Sequence, residues 1–321
     1  MSRLARFAVG TLACNLLVIL WGAVVRATGS GAGCGSHWPL CNGEVVPRSP
    51  SLATVIEMTH RATSGLAGLM VIALAVWCFL RLPRRHAARR TAIASLVLVL
   101  AEGAVGAGLV LLELVGSNAS AARAAYMGAH LVVTFFLLAA LALTAWWIDR
   151  TPTLRHDRRT AALLALAAVA LLVVAASGAV AALGDTLFPA GSLVEGMRQD
   201  MSTASHFLLR LRVVHPLLAV TAVAYLLFLP QLVCAARLGK TPRKLGSAIS
   251  LLALLQLALG AANIGLLAPV ALQLLHLLAA DLLWIAFVLF GAAALADPRP
   301  AVLAAAAARE VAERRRPLRA T

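Results

Sequence analysis

Four histidines hold the chemistry most open to reading in this chain, because of where they stand. His60, His130, His215 and His276 each fall inside a long apolar stretch, near the same end of it. A histidine in a membrane helix is costly and tends to serve function, although any single one can simply be an interhelical hydrogen-bonding group. Four at equivalent depth, in alternate stretches, point to a shared task. Neutral imidazole is a standard axial ligand to haem iron, and two histidines from facing helices would clamp one porphyrin. The expected pairs are His60 with His130 and His215 with His276. Zinc or copper is disfavoured, on the expectation that each bundle lacks additional cysteine or carboxylate ligands close to the pair.

Around these histidines stand charged residues and thiols. Glu57 lies three residues before His60, on the same helical face. It has two readings: an ion pair with Arg61 one turn on, or a proton acceptor or stabiliser of developing positive charge beside the first pair. In the second half Arg212 takes the matching place before His215. One half therefore looks reactive and the other looks like a plain electron-transfer site. Arg26, Arg61, Arg210 and Arg212 sit near span ends, where guanidinium forks suit haem propionates or snorkel to the interface. Cys34 and Cys41 bracket a short loop, Cys-Gly-Ser-His-Trp-Pro-Leu-Cys. They could form a structural disulfide, a redox-active pair or, with His37, a metal site.

The elements that position these groups follow from composition. The chain has 321 residues, 61% hydrophobic and 13% charged, with a mean hydropathy of +0.90. A water-soluble domain carries about 25% charged residues, so this is a membrane composition. Windows of about 20 apolar residues fall at 7–27, 54–80, 92–115, 125–148, 161–183, 213–233, 247–267 and 273–295. The expected fold is therefore an all-α integral membrane protein of about eight transmembrane helices. Every second span carries one histidine, and the first and fifth end alike, Gly22-Ala-Val-Val against Gly178-Ala-Val-Ala. This predicts two pseudo-repeated four-helix bundles: residues 1–148, a cytoplasmic linker at 149–160, residues 161–296, and a basic tail at 297–321.

The net charge of +15 reflects orientation rather than nucleic-acid binding. Arg81, Arg84, Arg85, Arg89 and Arg90, then Arg150, Arg155, Arg158 and Arg159, then Arg237, Lys240, Arg243 and Lys244 fill alternate loops. That is the positive-inside pattern, which places both termini in the cytoplasm. The basic tail suits contact with anionic lipid. The first apolar run lacks a small-residue cleavage site and reads as a span, and nothing resembles a transit peptide; a bacterial plasma membrane is expected.

Several stretches resemble a known family, the bacterial haem A synthases. Arg26-Ala-Thr-Gly-Ser-Gly-Ala-Gly-Cys-Gly-Ser-His-Trp-Pro-Leu-Cys is similar to their first outer loop, and Glu57-Met-Thr-His-Arg to their Glu-x-x-His-Arg motif. Later stretches beginning at Ser177, Arg210 and Gln273 resemble further signatures, so the likeness runs from the first span to the eighth. The resemblance implies oxidation of the C8 methyl of haem O to a formyl group, giving haem A for terminal oxidases. It implies that His60 and His130 flank the substrate haem, that His215 and His276 ligate the iron of haem b, that Glu57 serves catalysis, and that Cys34 and Cys41 are the family's outer-loop pair. The implied partners are haem O, delivered by a haem O synthase, membrane lipid and an electron acceptor. The alternative is a b-type carrier passing electrons between quinone and an outer partner. That protein would need the histidines but not Glu57. A transporter, the third class, would show broken helices and unpaired mid-membrane polar groups, both scarce in this sequence.

Overall fold

The computed structural model describes residues 1–150, 157–234 and 239–296. The described residues contain ten α-helices, with no strand among them: α1 (Arg3–Ala27), α2 (Leu52–Arg81), α3 (Ala87–Leu111), α4 (Ala121–Trp147), α5 (Arg158–Leu187), α6 (Leu193–Met201), α7 (Phe207–Arg212), α8 (Val214–Cys234), α9 (Lys240–Gly265) and α10 (Val270–Ala294). Eight of the resulting segments are long and apolar enough to cross a membrane, with Phe207–Val233 counted as one. This is an all-helical, multi-pass membrane fold. Half of the linker expected at 149–160, residues 151–156, and all of the tail at 297–321 lie outside the described residues.

Side-chain caps set where the helices begin. Ser2, Ser51, Ser120, Asp157 and Ser192 each accept a hydrogen bond from a backbone N–H in the first turn of the helix that follows. Each cap satisfies a donor that the helix itself cannot, worth about 1 kcal/mol. At the basic end of the molecule, the backbone N–H of Ser2 also donates to Asp149 at 2.9 Å. Hydrogen bonding from Ser2, through its side chain and then its backbone N–H, holds the Asp149 carboxyl below its usual range.

The sixth span departs from expectation. Its apolar run predicts one unbroken helix, yet it is divided at Val213 into α7 and α8. Pro216 has no N–H to offer the carbonyl of Arg212 four residues back, so the ladder is interrupted there. The short helix α6 has no counterpart among the expected spans. It is amphipathic, with Leu193, Val194, Met197 and Met201 exposed along one side.

The two halves share a core. Phe135 and Leu138 of α4 pack with Leu164 and Leu171 of α5 and with Leu283, Trp284, Phe287 and Phe290 of α10. The Trp284 ring stacks on Phe135 at 5.3 Å, and its indole N–H donates to the Phe135 carbonyl at 2.6 Å. Near the other end of the seam Arg26 of α1 donates to Ala182 O and Thr186 of α5 and to Gln273 of α10. Apolar burial drives little association in lipid, so close packing and such interhelical bonds hold helices together.

The halves also repeat one another in detail. After α3, Leu112 N–H bonds Gly108 O and Leu114 N–H bonds Leu109 O; after α9, Leu266 N–H bonds Ala262 O and Ala268 N–H bonds Asn263 O. Glu113 in the first turn and Leu267 in the second adopt positive φ, 55° and 60°. The two turns share these bonds in the same register, and differ in that Ala268 also takes a positive φ where its counterpart Leu114 does not.

Candidate functional site

Each of the four histidines lies seven to ten residues into its span, counted from the non-basic end. At 1.5 Å per residue that places them all about 10–15 Å below that surface. Each ring also lies against a glycine of the preceding span. A Cβ on Gly22 would sit 2.9 Å from Cε1 of His60, one on Gly178 3.0 Å from Cε1 of His215, and one on Gly260 3.5 Å from Cε1 of His276. Gly106 lies correspondingly, 4.0 Å from Nε2 of His130. Glycine is needed here for close approach rather than for backbone freedom. This is why the first and fifth spans end alike.

The rings of His215 and His276 are 6.4 Å apart, centre to centre, with planes at 88°. Two nitrogen–metal bonds of about 2 Å in line, plus about 1 Å from each nitrogen to its ring centre, come to about 6 Å. The spacing therefore suits two imidazoles on opposite sides of one metal atom. Ser177 lies 3.1 Å from Nδ1 of His215, whereas Nδ1 of His276 is buried without a hydrogen-bond partner. Nδ1 of His60 and Nδ1 of His130 are likewise buried without a formed hydrogen bond. Neutral imidazoles buried within the spans, one from each of two helices, are the donor type a haem iron takes. Among the described residues, no group of three or more His, Cys, Asp or Glu could hold a metal ion.

Glu57 is buried at 3% exposure and fully engaged. Arg61 donates to Oε1 through Nη2 at 2.5 Å and Nε at 3.1 Å, and the backbone N–H of Cys34 donates to Oε2 at 2.8 Å. Arg61 further donates to the carbonyls of His37 and Leu40. The ion-pair reading of Glu57 thus holds, with the pair secluded beneath the first loop rather than solvated. Cys34 and Cys41 form a disulfide, Cα to Cα 4.4 Å, that closes this loop. Thr54 donates to Gly33 O at 2.8 Å. A Cβ on Gly33 would fall 2.5 Å from the backbone of Ala53, so loop and helix touch there.

The arginines differ in what they leave free. Arg212 is taken by Asp185 at 2.8 Å and Asp200 at 2.6 Å, fastening α5, α6 and α7 together. Arg210 is exposed, and no side-chain partner is found for it among the described residues. Arg61 and Arg212 are therefore committed to protein partners, and Arg210 is the candidate open to an anionic group.

Two carboxyl groups escape a reading of the sequence alone. Oε1 of Glu102, on α3, lies 3.0 Å from Nδ1 of His130 and also accepts a hydrogen bond from Thr134. The expectation that neither pair has a carboxylate nearby is thus corrected: 28 residues separate Glu102 from His130, and only the packing of α3 on α4 joins them. An acidic residue inside the third span was the available signal. Asp281, on α10, is wholly buried with neither oxygen hydrogen-bonded. With the break at Val213, this corrects the expectation that unpaired polar groups and broken helices are scarce.

Comparison with known proteins gives these features a context. The sequence profile of the cytochrome oxidase assembly protein family matches residues 5–288. A protein of Thermus thermophilus named protoheme IX farnesyltransferase is 49% identical over 296 residues, covering 92% of this chain and 49% of that protein. A haem A synthase of Alkalihalophilus pseudofirmus is 45% identical over 109 residues, 34% of this chain and 37% of its own. A haem A synthase of an Exiguobacterium species is 34% identical over 171 residues, 53% of this chain and 55% of its own. The chain spans about half the length of the first of these relatives. With the family profile covering nearly the whole chain, it belongs to the haem A synthase family of cytochrome oxidase assembly proteins.

Proposed function

We propose that the chain is a haem A synthase, an oxidoreductase that converts the C8 methyl of haem O to the formyl group of haem A. The observation that carries this is the chemical asymmetry of two otherwise matching histidine pairs. In the C-terminal half His215 and His276 are spaced for one iron; we assign them haem b, whose iron supplies one-electron transfer when bound. In the N-terminal half His60 and His130 would flank the substrate haem. That half places a carboxyl, Glu57, one turn before a candidate ligand histidine and closes a disulfide loop over it, whereas the matching place before His215 holds Arg212.

Turning a methyl into a formyl group adds one oxygen atom and, taken overall with water as its source (R–CH3 + H2O → R–CHO + 4 H+ + 4 e−), sends the protons to solvent and the electrons to an acceptor. The residues must therefore hold the porphyrin still, stabilise positive charge and let protons leave. His60 and His130 fix the ring plane. Glu57 supplies fixed negative charge one turn beyond His60, and its bonds to Arg61 and Cys34 keep it in place. Arg210 is the group left to pair with a propionate. Haem b, if held by His215 and His276, would supply the one-electron chemistry that links the site to an acceptor. Both termini would face the cytoplasm of a bacterial plasma membrane, since the basic loops share that side.

The farnesyltransferase relative fits this scheme as a neighbour in the same chemistry. Its name describes adding a prenyl group to protohaem, and this chain matches only half of it. The transferase reaction would reside in the other half and deliver its product, haem O, to the half represented here. The deciding experiment is to express the chain with a haem O source and extract the haems. Haem A in the extract is the expected result. A b-type carrier would yield none, and a transferase would instead make haem O from protohaem and farnesyl diphosphate.

A further inference from the structure

We propose that Glu102 is a positioning residue for His130, holding the imidazole by Nδ1 so that Nε2 faces the haem iron as a strengthened donor. The proposal rests on the reading above, in which His130 is a ligand in the N-terminal half.

The argument begins with what each ring nitrogen meets. A histidine that binds metal through one nitrogen usually donates its other N–H to a carboxylate, a carbonyl or water, and this sets tautomer, orientation and basicity. Nδ1 of His60, His130 and His276 makes no formed hydrogen bond, and that of His215 meets the neutral hydroxyl of Ser177. Only His130 has a carboxyl oxygen beside Nδ1, at 3.0 Å. A second group holds that carboxyl in place. Thr134, one turn beyond His130 on α4, donates to the same oxygen and so steadies it from the helix that bears the histidine. The other oxygen, Oε2, is buried without a partner. No salt bridge competes for the carboxyl among the described residues, so the imidazole is its one cationic or ring partner.

The internal repeat supplies a control built into the molecule. The turns after α3 and α9 correspond at a spacing of 154 residues, as do Gly106 and Gly260 beneath the two rings. At that spacing Glu102 corresponds to Gln256. Gln256 donates to the carbonyl of His276 at 2.9 Å and brings no carboxyl oxygen to Nδ1 of that ring. Thr134 corresponds to Ala280, four residues beyond the histidine in each case. One frame thus carries a carboxyl and its hydroxyl support in the half proposed to react, and a neutral amide in the half proposed to carry electrons. A stronger histidine donor favours ferric over ferrous iron and eases access to higher oxidation states. A site that must oxidise a carbon needs this, and a simple relay does not.

The test is redox titration of the purified full-length protein loaded with haem, followed by absorbance, with His130→Ala and His276→Ala used to assign the two waves. Glu102→Gln keeps shape but weakens the acceptor; it should raise ferrous preference in the N-terminal wave about tenfold, about 59 mV for one electron, and leave the C-terminal wave in place. Thr134→Val removes the competing donor and should move the same wave the other way. Opposite shifts of one wave are what a merely structural role cannot produce. Shifts below twofold in both variants with haem content intact, or shifts in the same direction, would overturn the proposal. An N-terminal wave that survives His130→Ala would overturn it together with the ligand assignment. Opposite shifts in a protein that makes no haem A would leave Glu102 assigned and remove the enzyme reading instead.

Discussion

At the scale of single residues, the molecule separates two uses of a carboxyl group. Glu57 is saturated: Arg61 holds one oxygen and the Cys34 N–H the other. It acts as fixed charge and as the bolt between loop and helix. Glu57→Gln keeps the size and loses the charge. We expect it to retain haem b but to lower haem A output about 100-fold, the scale on which one preorganised electrostatic group matters. Extracted haem, normalised to bound haem b, reads the outcome; output at the wild-type level would end the catalytic role. Histidine substitutions divide the halves in the same way. His215→Ala or His276→Ala should abolish the stable low-spin spectrum, whereas His60→Ala should remove chiefly turnover. Unchanged bound haem in both C-terminal variants would reverse the assignment of the halves. The histidines, Glu57 and the cysteines were legible because each sits in a local pattern of spacing. Glu102 was not, because it meets His130 only after two helices pack, and no local pattern encodes that meeting.

At the scale of elements, the glycines beneath the rings set how closely neighbouring spans approach. Gly178→Ala places a methyl inside normal contact distance of His215, at 3.0 Å from Cε1. The ring must turn, so haem b content should fall while the helix itself gains propensity. A Gly10→Ala control, with nothing within 4 Å of the added carbon, should leave haem content alone; equal effects from both would refute the packing argument. The loop over Glu57 behaves as a second element. Its disulfide joins residues seven apart, a short closure worth about 2–3 kcal/mol on loop entropy. Cys34→Ser should therefore lower the thermal midpoint by several degrees, and alkylation of the unreduced wild type should label neither thiol. Loss of turnover at full haem content would instead mark a redox or substrate-handling task. Span positions were readable from apolar windows, since lipid demands them. The break at Val213 was missed because Pro216 stands within an apolar run, where hydropathy outweighs the missing N–H. The amphipathic α6 was missed because nine residues of mixed polarity leave no membrane signal.

At the scale of the whole molecule, orientation is the first property to measure. Reporter fusions after Arg85 and after Ser120 should report opposite sides of the membrane, because α3 lies between them. The same side for both would undo the placement of all four histidines near one surface. The internal repeat was visible in outline from alternating histidines, but its register emerged only from the matching turns after α3 and α9.

The seam between the halves has a mechanical consequence. Transporters of repeated design work by rocking one bundle against the other, which requires an interface that opens and recloses. Here Trp284 is bonded to the carbonyl of Phe135 within the shared core, and Arg26 is bonded across to α5 and α10 near the outer end. Opening would strand a buried indole N–H and an unsolvated guanidinium at once. The seam is an axle welded at two points, so the halves are held together where a rocking transporter would part them.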